Sequence, residues 1–212
     1  MRVTKYTHSC IRIESDDAVL VVDPGAFSEP AALTGADAVL ITHEHVDHLD
    51  VDAVGGAAAR QPGLRVYAHA DVLPKLEAFR ETVTTVAAGE DFTAAGMTVR
   101  AYGGQHAVIY PEIPRIANLG YLISDGGTSV YTPGDSFAVP DDAAVDTLFV
   151  PLHAPWMKLA ESIDFVRAVK PRRAYAIHDG LLNERGAGIS DGHLERFSGT
   201  EYAHLTPGTT ID

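Results

Sequence analysis

The sequence predicts an α/β protein in which two β-sheets face each other and helices cover their outer sides. The order of predicted elements favours this architecture. The first half of the chain runs through several strand-like segments before its helices, and the second half does something similar. A length of 212 residues, with 46% apolar and 21% charged residues, is enough for one sizeable core. We therefore expect residues 1–212 to form a single domain.

Short apolar runs between turn residues predict the strands of the first half. Residues 50–60 are alanine-rich and favour a helix, although two adjacent glycines weaken it. A second helix is expected from the spacing of Val72, Leu76 and Phe79, with Asp71 as its cap. The predicted strands of this half are residues 3–6, 11–14, 18–23, 38–42, 65–68 and 82–86.

The second half repeats this pattern of strands and helices. Residues 158–169 predict an amphipathic helix that turns Leu159, Ile163 and Val166 inward, and a glycine-interrupted helix is expected near the C-terminus. Residues 107–118 contain two prolines and cannot be a regular helix or a central strand, so we expect a long loop that forms a lid or a substrate wall. The predicted strands are residues 97–102, 119–124, 128–132, 146–152, 173–177 and 201–205.

Composition excludes several classes of function. Sixteen Lys and Arg against 29 Asp and Glu give a formal charge of −13, which disfavours binding to nucleic acid. Cys10 is the single cysteine, so no disulfide can form within the chain and thiolate-only zinc sites are excluded. We find neither a leader-like start nor an apolar stretch long enough to cross a bilayer. We expect a soluble cytoplasmic protein that does not bind membranes.

The strongest chemical signal follows the predicted strand at residues 38–42. His43, His45, Asp47 and His48 come directly after this buried strand, where side chains are rigidly supported and open to a cleft. Imidazole and carboxylate together suit divalent first-row metal ions. Alternation in an extended loop would direct His43 and His45 to one ion, while Asp47 and His48, at a turn, would face a second.

Three more strand ends carry residues of the same kind, namely His106, Asp135 and His178. Seven ligands are more than one tetrahedral ion accepts, so the set predicts two ions. Paired ions share a water and lower its pKa to about 7, which gives a hydroxide able to attack a carbonyl or phosphoryl centre. Asp47 is the candidate that orients this hydroxide or accepts its proton. No serine or cysteine nucleophile is required.

This ordered set resembles the metallo-β-lactamase superfamily over residues 5–180, and the segments Thr-Pro-Gly-Asp135-Ser and Ala-Ile-His178-Asp-Gly also match that family. The resemblance implies a four-layer αββα sandwich with a dinuclear site along one edge. It further implies that Asp23 orients the ligand loop, although Asp23 is equally well explained as a turn residue before proline. The implied first-metal ligands are His43, His45 and His106, the second-metal ligands are Asp47, His48 and His178, and the bridge is Asp135.

Departures from the family pattern indicate which branch of the superfamily this sequence resembles. Asp135 stands where one class of β-lactamases has a cysteine ligand, and His45 stands where flavodiiron proteins have a glutamate. The segments around His8 and Asp23 look most like small proteins related to ascorbate-phosphate lactonase. The resemblance therefore implies a small metal-dependent hydrolase that acts on an ester, lactone or phosphoester of a small molecule. Related hydrolases often associate, so a homo-oligomer is possible.

Several alternatives stay open at this point. Zinc is the default metal for a histidine-rich site, but Mn, Fe or Ni fit the same ligands. A mononuclear iron oxidoreductase resembling persulfide dioxygenase and a non-catalytic metal-dependent binding module are the rival functions. His153 is a candidate catalytic residue that could touch the substrate or support the site from behind. His8, Tyr110, Arg115 and Trp156 are either substrate contacts or structural residues.

Overall fold

The computed structural model describes residues 1–212, and its first sheet is built mainly from the N-terminal half of the chain. Seven strands form this sheet in the spatial order β14-β1-β2-β3-β4-β5-β6. Strands β1 to β3 are antiparallel, and β3 to β6 are parallel. Their bounds are β1 Arg2–Lys5, β2 Ile11–Ser15, β3 Ala18–Val22, β4 Ala38–Leu40, β5 Arg65–Ala68, β6 Val83–Thr85 and β14 Thr210–Ile211.

The second sheet has the same plan in the C-terminal half. Its order is β13-β12-β11-β10-β9-β8-β7, with antiparallel pairing from β7 to β10 and parallel pairing from β10 to β13. Each sheet thus changes from antiparallel to parallel pairing partway across. The bounds are β7 Asp91–Ala94, β8 Met97–Gly103, β9 Leu119–Ser124, β10 Ser129–Thr132, β11 Thr147–Pro151, β12 Arg173–Ile177 and β13 Glu201–Ala203.

Three α-helices cover the sheets: α1 Val51–Arg60, α2 Leu159–Val169 and α3 Glu184–Phe197. The Asp50 side chain caps α1 by accepting the main-chain N–H of Ala53 at 2.9 Å. The predicted helix after Asp71 is wrong in type. The chain there forms two short 3-10 helices, Ala70–Lys75 and Glu77–Thr82, because Pro74 lies inside the first and Phe79 leaves helical dihedral angles. No helix is long and apolar enough to span a membrane.

Three apolar clusters define the layers. The largest lies between the two sheets, and its members come from both, such as Ile13 of β2 and Tyr121 of β9. A second cluster packs α1 and the 3-10 helices on the outer face of the first sheet, and a third packs α2 and α3 on the outer face of the second. This arrangement confirms the predicted αββα sandwich. Cys10 is a buried core thiol whose pKa burial raises to about 12.

The two sheets meet at the edge where the predicted ligands lie. The Tyr121 hydroxyl, on the second sheet, donates to the carbonyl of Ile41 in the first at 2.9 Å. The main-chain N–H of Leu119 donates to the carbonyl of Thr42, also at 2.9 Å. Because these bonds tie β9 to the end of β4, loops that leave both sheets reach the same place. The segment 107–118 is a loop without helix or strand, as predicted.

Candidate metal centre

The loop of residues 43–48 is held in place by close backbone packing. It follows β4 and precedes α1, and the Pro24–Ser28 loop after β3 lies directly on it. A Cβ atom on Gly25 would lie only 1.9 Å from the carbonyl oxygen of Asp47, so glycine is required there. The main-chain N–H of Ala26 donates to the carbonyl of Val46 at 2.8 Å. The loop after β3 therefore supports the ligand loop.

The structure brings all seven predicted ligands together, and we call them the donor cluster. With His8 added, their donor atoms form two groups, and the atoms of each group lie within 4.8 Å of one another. The first donor group is His43, His45, His106 and Asp135, and the second is His8, Asp47, His48 and His178. Asp135 lies between the groups. Its Oδ1 is 3.0 Å from His48 Nε2, and its Oδ2 is 3.2 Å from His178 Nε2 and 3.3 Å from His106 Nε2. This position is the one expected of a bridging carboxylate.

Hydrogen bonds behind the cluster determine which nitrogen of each ring faces it. The Nδ1–H of His48 donates to Asp23 Oδ2 at 2.8 Å. The Thr42 hydroxyl donates to the same oxygen at 2.7 Å, so its lone pair is free to accept Nδ1–H of His43 at 3.0 Å. His43 therefore presents an unprotonated Nε2 to the pocket. Burial lowers the pKa of His48, but Asp135 and Asp23 outweigh it and raise that pKa well above its ordinary value, so a bound cation would take the place of a proton on His48 Nε2. Asp23 orients the ligand loop, and it also occupies the turn before Pro24.

Two further histidines are oriented by main-chain carbonyls. Nδ1–H of His106 donates to the carbonyl of Ala107, and Nδ1–H of His178 donates to the carbonyl of His153, each at 2.6 Å. Their Nε2 atoms consequently also carry lone pairs directed into the cluster.

The facing atoms fit a bound cation. His48 Nε2, His106 Nε2, His178 Nε2 and Asp135 Oδ1 are buried and make no aligned hydrogen bond, although His48 Nε2 lies 3.0 Å from Asp135 Oδ1. Buried polar atoms of this kind are rare in folded proteins, because each loses its hydration without compensation. Lone pairs brought this close repel unless a positive charge lies between them. A set of imidazoles and carboxylates is suited to zinc and similar divalent ions.

Several residues of the cluster have pKa values that depart strongly from their ordinary values. Burial raises the pKa of Asp47, but the hydrogen bond from His8 and the nearby His48 and His178 outweigh it and lower that pKa to about 2. Burial also opposes ionisation of Asp135, yet the surrounding imidazoles lower its pKa well below the usual range. Both carboxylates are therefore ionised at neutral pH. Burial lowers the pKa of His43 far below its ordinary value, which keeps this ring neutral.

His8 belongs to the site as a hydrogen-bond donor. Burial lowers its pKa, so the neutral ring is the relevant form. The main-chain N–H of Gly180 donates to His8 Nδ1 at 3.2 Å, which leaves the proton on Nε2. That Nε2–H lies 3.1 Å from Asp47 Oδ2 and donates to it. His8 therefore positions the Asp47 carboxylate, and its protonated Nε2 is not available to a metal.

Asp135 is fixed by two residues that are distant in sequence and by the glycine before it. The Trp156 indole N–H donates to its Oδ2 at 2.8 Å, and the Asn118 side-chain oxygen accepts its main-chain N–H at 2.9 Å. Gly134 has φ of +61°, and a Cβ there would come within 2.4 Å of Asn118 Oδ1 and 2.7 Å of Thr42 Cβ. Glycine is thus needed for the two strand ends to approach.

Some predicted substrate contacts lie at the margin of the cluster. The His153 side chain is exposed, and only its main-chain carbonyl touches a cluster residue, so contact between its ring and substrate stays a prediction. Arg115 is exposed, and its Nε donates to the carbonyl of His106 at 2.7 Å. Tyr110 is exposed on the same loop. Trp156 is buried against Asp135, which identifies it as a support of the cluster.

Two supporting residues were missed by sequence reasoning. Thr42 immediately precedes His43 at the end of a strand, a position that a hydroxyl can use to bind the neighbouring ring, so a signal for it was present. No signal in the sequence indicated Asn118, because its contact with Asp135 joins residues 17 positions apart at the ends of two strands.

Comparison with known proteins agrees with this geometry. The family model described as "Beta-lactamase superfamily domain" matches residues 2–178. Protein Rv0786c of Mycobacterium tuberculosis is 39% identical over 214 residues, which cover 100% of this chain and 99% of that protein. A UPF0173 metal-dependent hydrolase of Dinoroseobacter shibae is 31% identical over 83% of this chain and 79% of its own length.

Solved structures show the same fold. Igni18, a metallo hydrolase from Ignicoccus hospitalis, superposes with a TM-score of 0.78 at 19% identity, over 99% of this chain and 97% of that one. The metallo-β-lactamase fold protein YhfI from Bacillus subtilis gives 0.76 at 18% identity, over 99% and 98% of the two chains. With the family match over most of its length, the αββα fold and a cluster of histidines and aspartates at the sheet edge, this chain belongs to the metallo-β-lactamase superfamily.

Proposed function

We propose that this protein is a metal-dependent hydrolase that uses two divalent ions to cleave an ester, lactone or phosphoester of a small molecule. The observation that carries the proposal is the set of buried ring nitrogens and carboxylate oxygens that face one another without hydrogen-bond partners. Relatives described as metal-dependent hydrolases, including the Dinoroseobacter shibae protein, support the reaction type.

The donor cluster divides naturally between two ions. His43, His45 and His106 would hold one, Asp47, His48 and His178 would hold the other, and Asp135 would touch both. Ions bound there would act as Lewis acids and bring the pKa of a coordinated water to about 7. A histidine-rich set favours zinc, and Mn, Fe or Ni fit the same donors.

Asp47 and Asp135 are suited to different tasks. The Asp47 side chain is 19% exposed and the Asp135 side chain 4%, so Asp47 is the carboxylate that a substrate or water can reach. Asp47 is ionised at neutral pH, and His8 holds its Oδ2. It would orient the attacking water or accept its proton. Asp135, which also accepts the Trp156 N–H, would remain a structural bridge.

A metal-loaded activity screen tests the proposal. Metal-free protein is loaded with Zn²⁺ and assayed against lactones, carboxylic esters and phosphodiesters. We expect hydrolysis of at least one class, loss on chelation and recovery on reloading.

Asp47→Ala should abolish turnover while circular dichroism and thermal unfolding show an intact fold. Glu44→Gln is the matched control, because Glu44 lies in the same loop but outside the donor groups, with its carboxylate 3.6 Å from Lys75 Nζ. Full activity of Asp47→Ala would refute the proposed role of this carboxylate.

The same measurements separate the rival functions. One iron per chain by metal analysis, with oxygen consumption in place of hydrolysis, would identify a mononuclear oxidoreductase. A fully loaded protein inactive on the whole panel would indicate a binding module. Two adjacent donor groups favour the dinuclear hydrolase.

The expectations on partners and location stay predictions. They are a small-molecule substrate, no role in nucleic-acid or membrane binding, a cytoplasmic location and a possible homo-oligomer.

A further inference from the structure

The exposed apolar side chains of this protein are concentrated around the donor cluster. Eight large apolar side chains are exposed, and two of them, Ile189 and Phe197, lie on α3. The other six are between 42% and 62% exposed and lie on the loops that carry or contact the cluster. We call these six the apolar rim: Phe27, Val46, Val108, Tyr110, Ile113 and Leu181.

One side of the rim lies beside the second donor group. The Phe27 ring is 5.2 Å from the His8 ring, edge to face. The residue before Phe27 donates its main-chain N–H to the carbonyl of Val46 at 2.8 Å, which joins these two rim positions. Leu181 follows Gly180, whose N–H donates to His8. Three rim residues are therefore linked through His8 and the ligand loop.

The other side lies on the loop after His106. Ile113 lines a small cavity together with His45 and His106, so its side chain is continuous with the first donor group. The main-chain N–H of Ile113 donates to the carbonyl of Tyr110 at 3.0 Å, which forms a turn that carries both exposed residues. Val108 lies two residues beyond His106 on the same loop.

Exposed apolar groups that border a polar site indicate a ligand with an apolar part. We propose that the apolar rim binds the hydrocarbon portion of an uncharged substrate, an aliphatic ester or lactone, whose reacting carbonyl lies at the donor cluster. This inference rests on the proposed function, because it assigns the substrate class of that same site.

The charge and position of the rim favour this occupant over others. The formal charge of −13 opposes the approach of polyanionic substrates. The rim borders both donor groups, through Phe27 beside His8 and through Ile113 beside His45 and His106, so a second copy of the chain seated on it would cover the donor cluster. Arg115 is the only lysine or arginine of the loop 107–118, and its Nε donates to the carbonyl of His106.

A chain-length series on Zn²⁺-loaded protein tests the proposal. The substrates are p-nitrophenyl acetate, butanoate, hexanoate and octanoate, with an ester of octanoate length that ends in a carboxylate. Complete burial of a methylene gives about a fourfold gain per group, and a half-exposed rim should give about twofold in kcat/KM. The neutral octanoate should be preferred over the carboxylate-ended ester.

The increase of kcat/KM with chain length should be smaller in each of three variants, Tyr110→Ser, Ile113→Ser and Leu181→Ser. Ile189→Ser is the control, because it removes an exposed apolar side chain on α3 and should leave the dependence unchanged. Equal rates for all chain lengths, or preference for the carboxylate-ended ester, would overturn the rim proposal while leaving the hydrolase proposal standing.

A binding measurement keeps the two proposals distinguishable. Trp156 is the single tryptophan and lies in the site, so its fluorescence reports ligands there. Straight-chain methyl ketones of increasing length, added to metal-free protein, should bind about twofold more tightly per methylene, and less so to the serine variants. If the esters, lactones and phosphodiesters are all inert but this trend holds, the proposed function fails and the rim site stands. If size-exclusion chromatography shows a dimer that the serine variants dissociate, the rim is an interface between copies and the proposal fails.

Discussion

Replacement of Asp23 by asparagine should weaken metal binding without unfolding the protein. Asp23 is buried, and its Oδ2 accepts Nδ1–H of His48 at 2.8 Å and the Thr42 hydroxyl at 2.7 Å. Its Oδ1 accepts the Thr42 main-chain N–H at 2.8 Å. Asparagine preserves the size of the side chain and tolerates the φ of +48° at this position. An amide, however, places an NH₂ group where one of the two accepting oxygens lies.

The size of the effect follows from these contacts. A hydrogen bond to a charged group contributes about 1.5–3 kcal/mol. The amide nitrogen displaces one such bond if it takes the place of Oδ1 and two if it takes the place of Oδ2, and in either case His48 loses a charged acceptor. Removing a carboxylate that supports a metal-binding histidine typically weakens metal affinity by about 10–100-fold. We therefore expect Asp23→Asn to bind one Zn²⁺ about 10–100-fold more weakly than the unaltered protein, which corresponds to about 1.4–2.7 kcal/mol.

The assay is a competitive titration of metal-free protein with Zn²⁺ in the presence of a chromophoric chelator. Asp37→Asn is a suitable control, because Asp37 also accepts a main-chain N–H, from Val19 at 2.9 Å, but lies at the opposite end of β4 from the ligand loop. Asp37→Asn should bind Zn²⁺ as the unaltered protein does. Wild-type affinity of Asp23→Asn for every ion would refute the idea that Asp23 orients His48.

Three further predictions follow from contacts around the cluster. His8→Gln retains a donor that can reach the Asp47 carboxylate, so it should keep more activity than His8→Asn. Both variants should bind as much metal as the unaltered protein. Loss of one ion from both would make His8 a ligand. Gly134→Ala should cost about 2–4 kcal/mol of unfolding free energy in urea titration, against about 1 kcal/mol for Gly89→Ala, which has positive φ but open space. A hydrogen bond to Asp179, with further ones to Asp191, raises the pKa of His204 above its ordinary 6.5. The stabilisation from protonated His204 is therefore complete below pH 6.5 and is lost as the pH rises through the raised pKa, and His204→Gln should show a smaller fall in Tm over that range.

The sequence was sufficient to predict the strands that carry the donor cluster and the cluster itself. Each ligand follows an apolar run at a strand end, and this local pattern survives folding because the strand is buried. The ends of β4 and β12 lie where the apolar pattern ends, at Leu40 and Ile177. Parallel pairing aligns the ends of β10 and β12 on either side of β11 within the second sheet. The hydrogen bonds from Tyr121 and Leu119 to the residues after β4 bring the first sheet's ligand loop to the same edge, which is why residues more than a hundred positions apart lie together.

Elements with weak local patterns were missed or misassigned. Strand β7 has one large apolar side chain, Phe92, and β14 has two residues in all, so neither gives an alternating signal. The spacing of Val72 and Leu76 suggested a helix, but Pro74 between them limits the chain to 3-10 turns. The roles of Asn118 and Trp156 depend on contacts between loops, which no local pattern encodes.

The orientation of His106 and His178 by peptide carbonyls has a consequence for divergence among relatives. Any amino acid supplies the same oxygen, so replacement of the residue at position 107 or 153 leaves these two rings aligned. The exposed side chain at position 153 can therefore differ among relatives while the main-chain oxygen still orients His178.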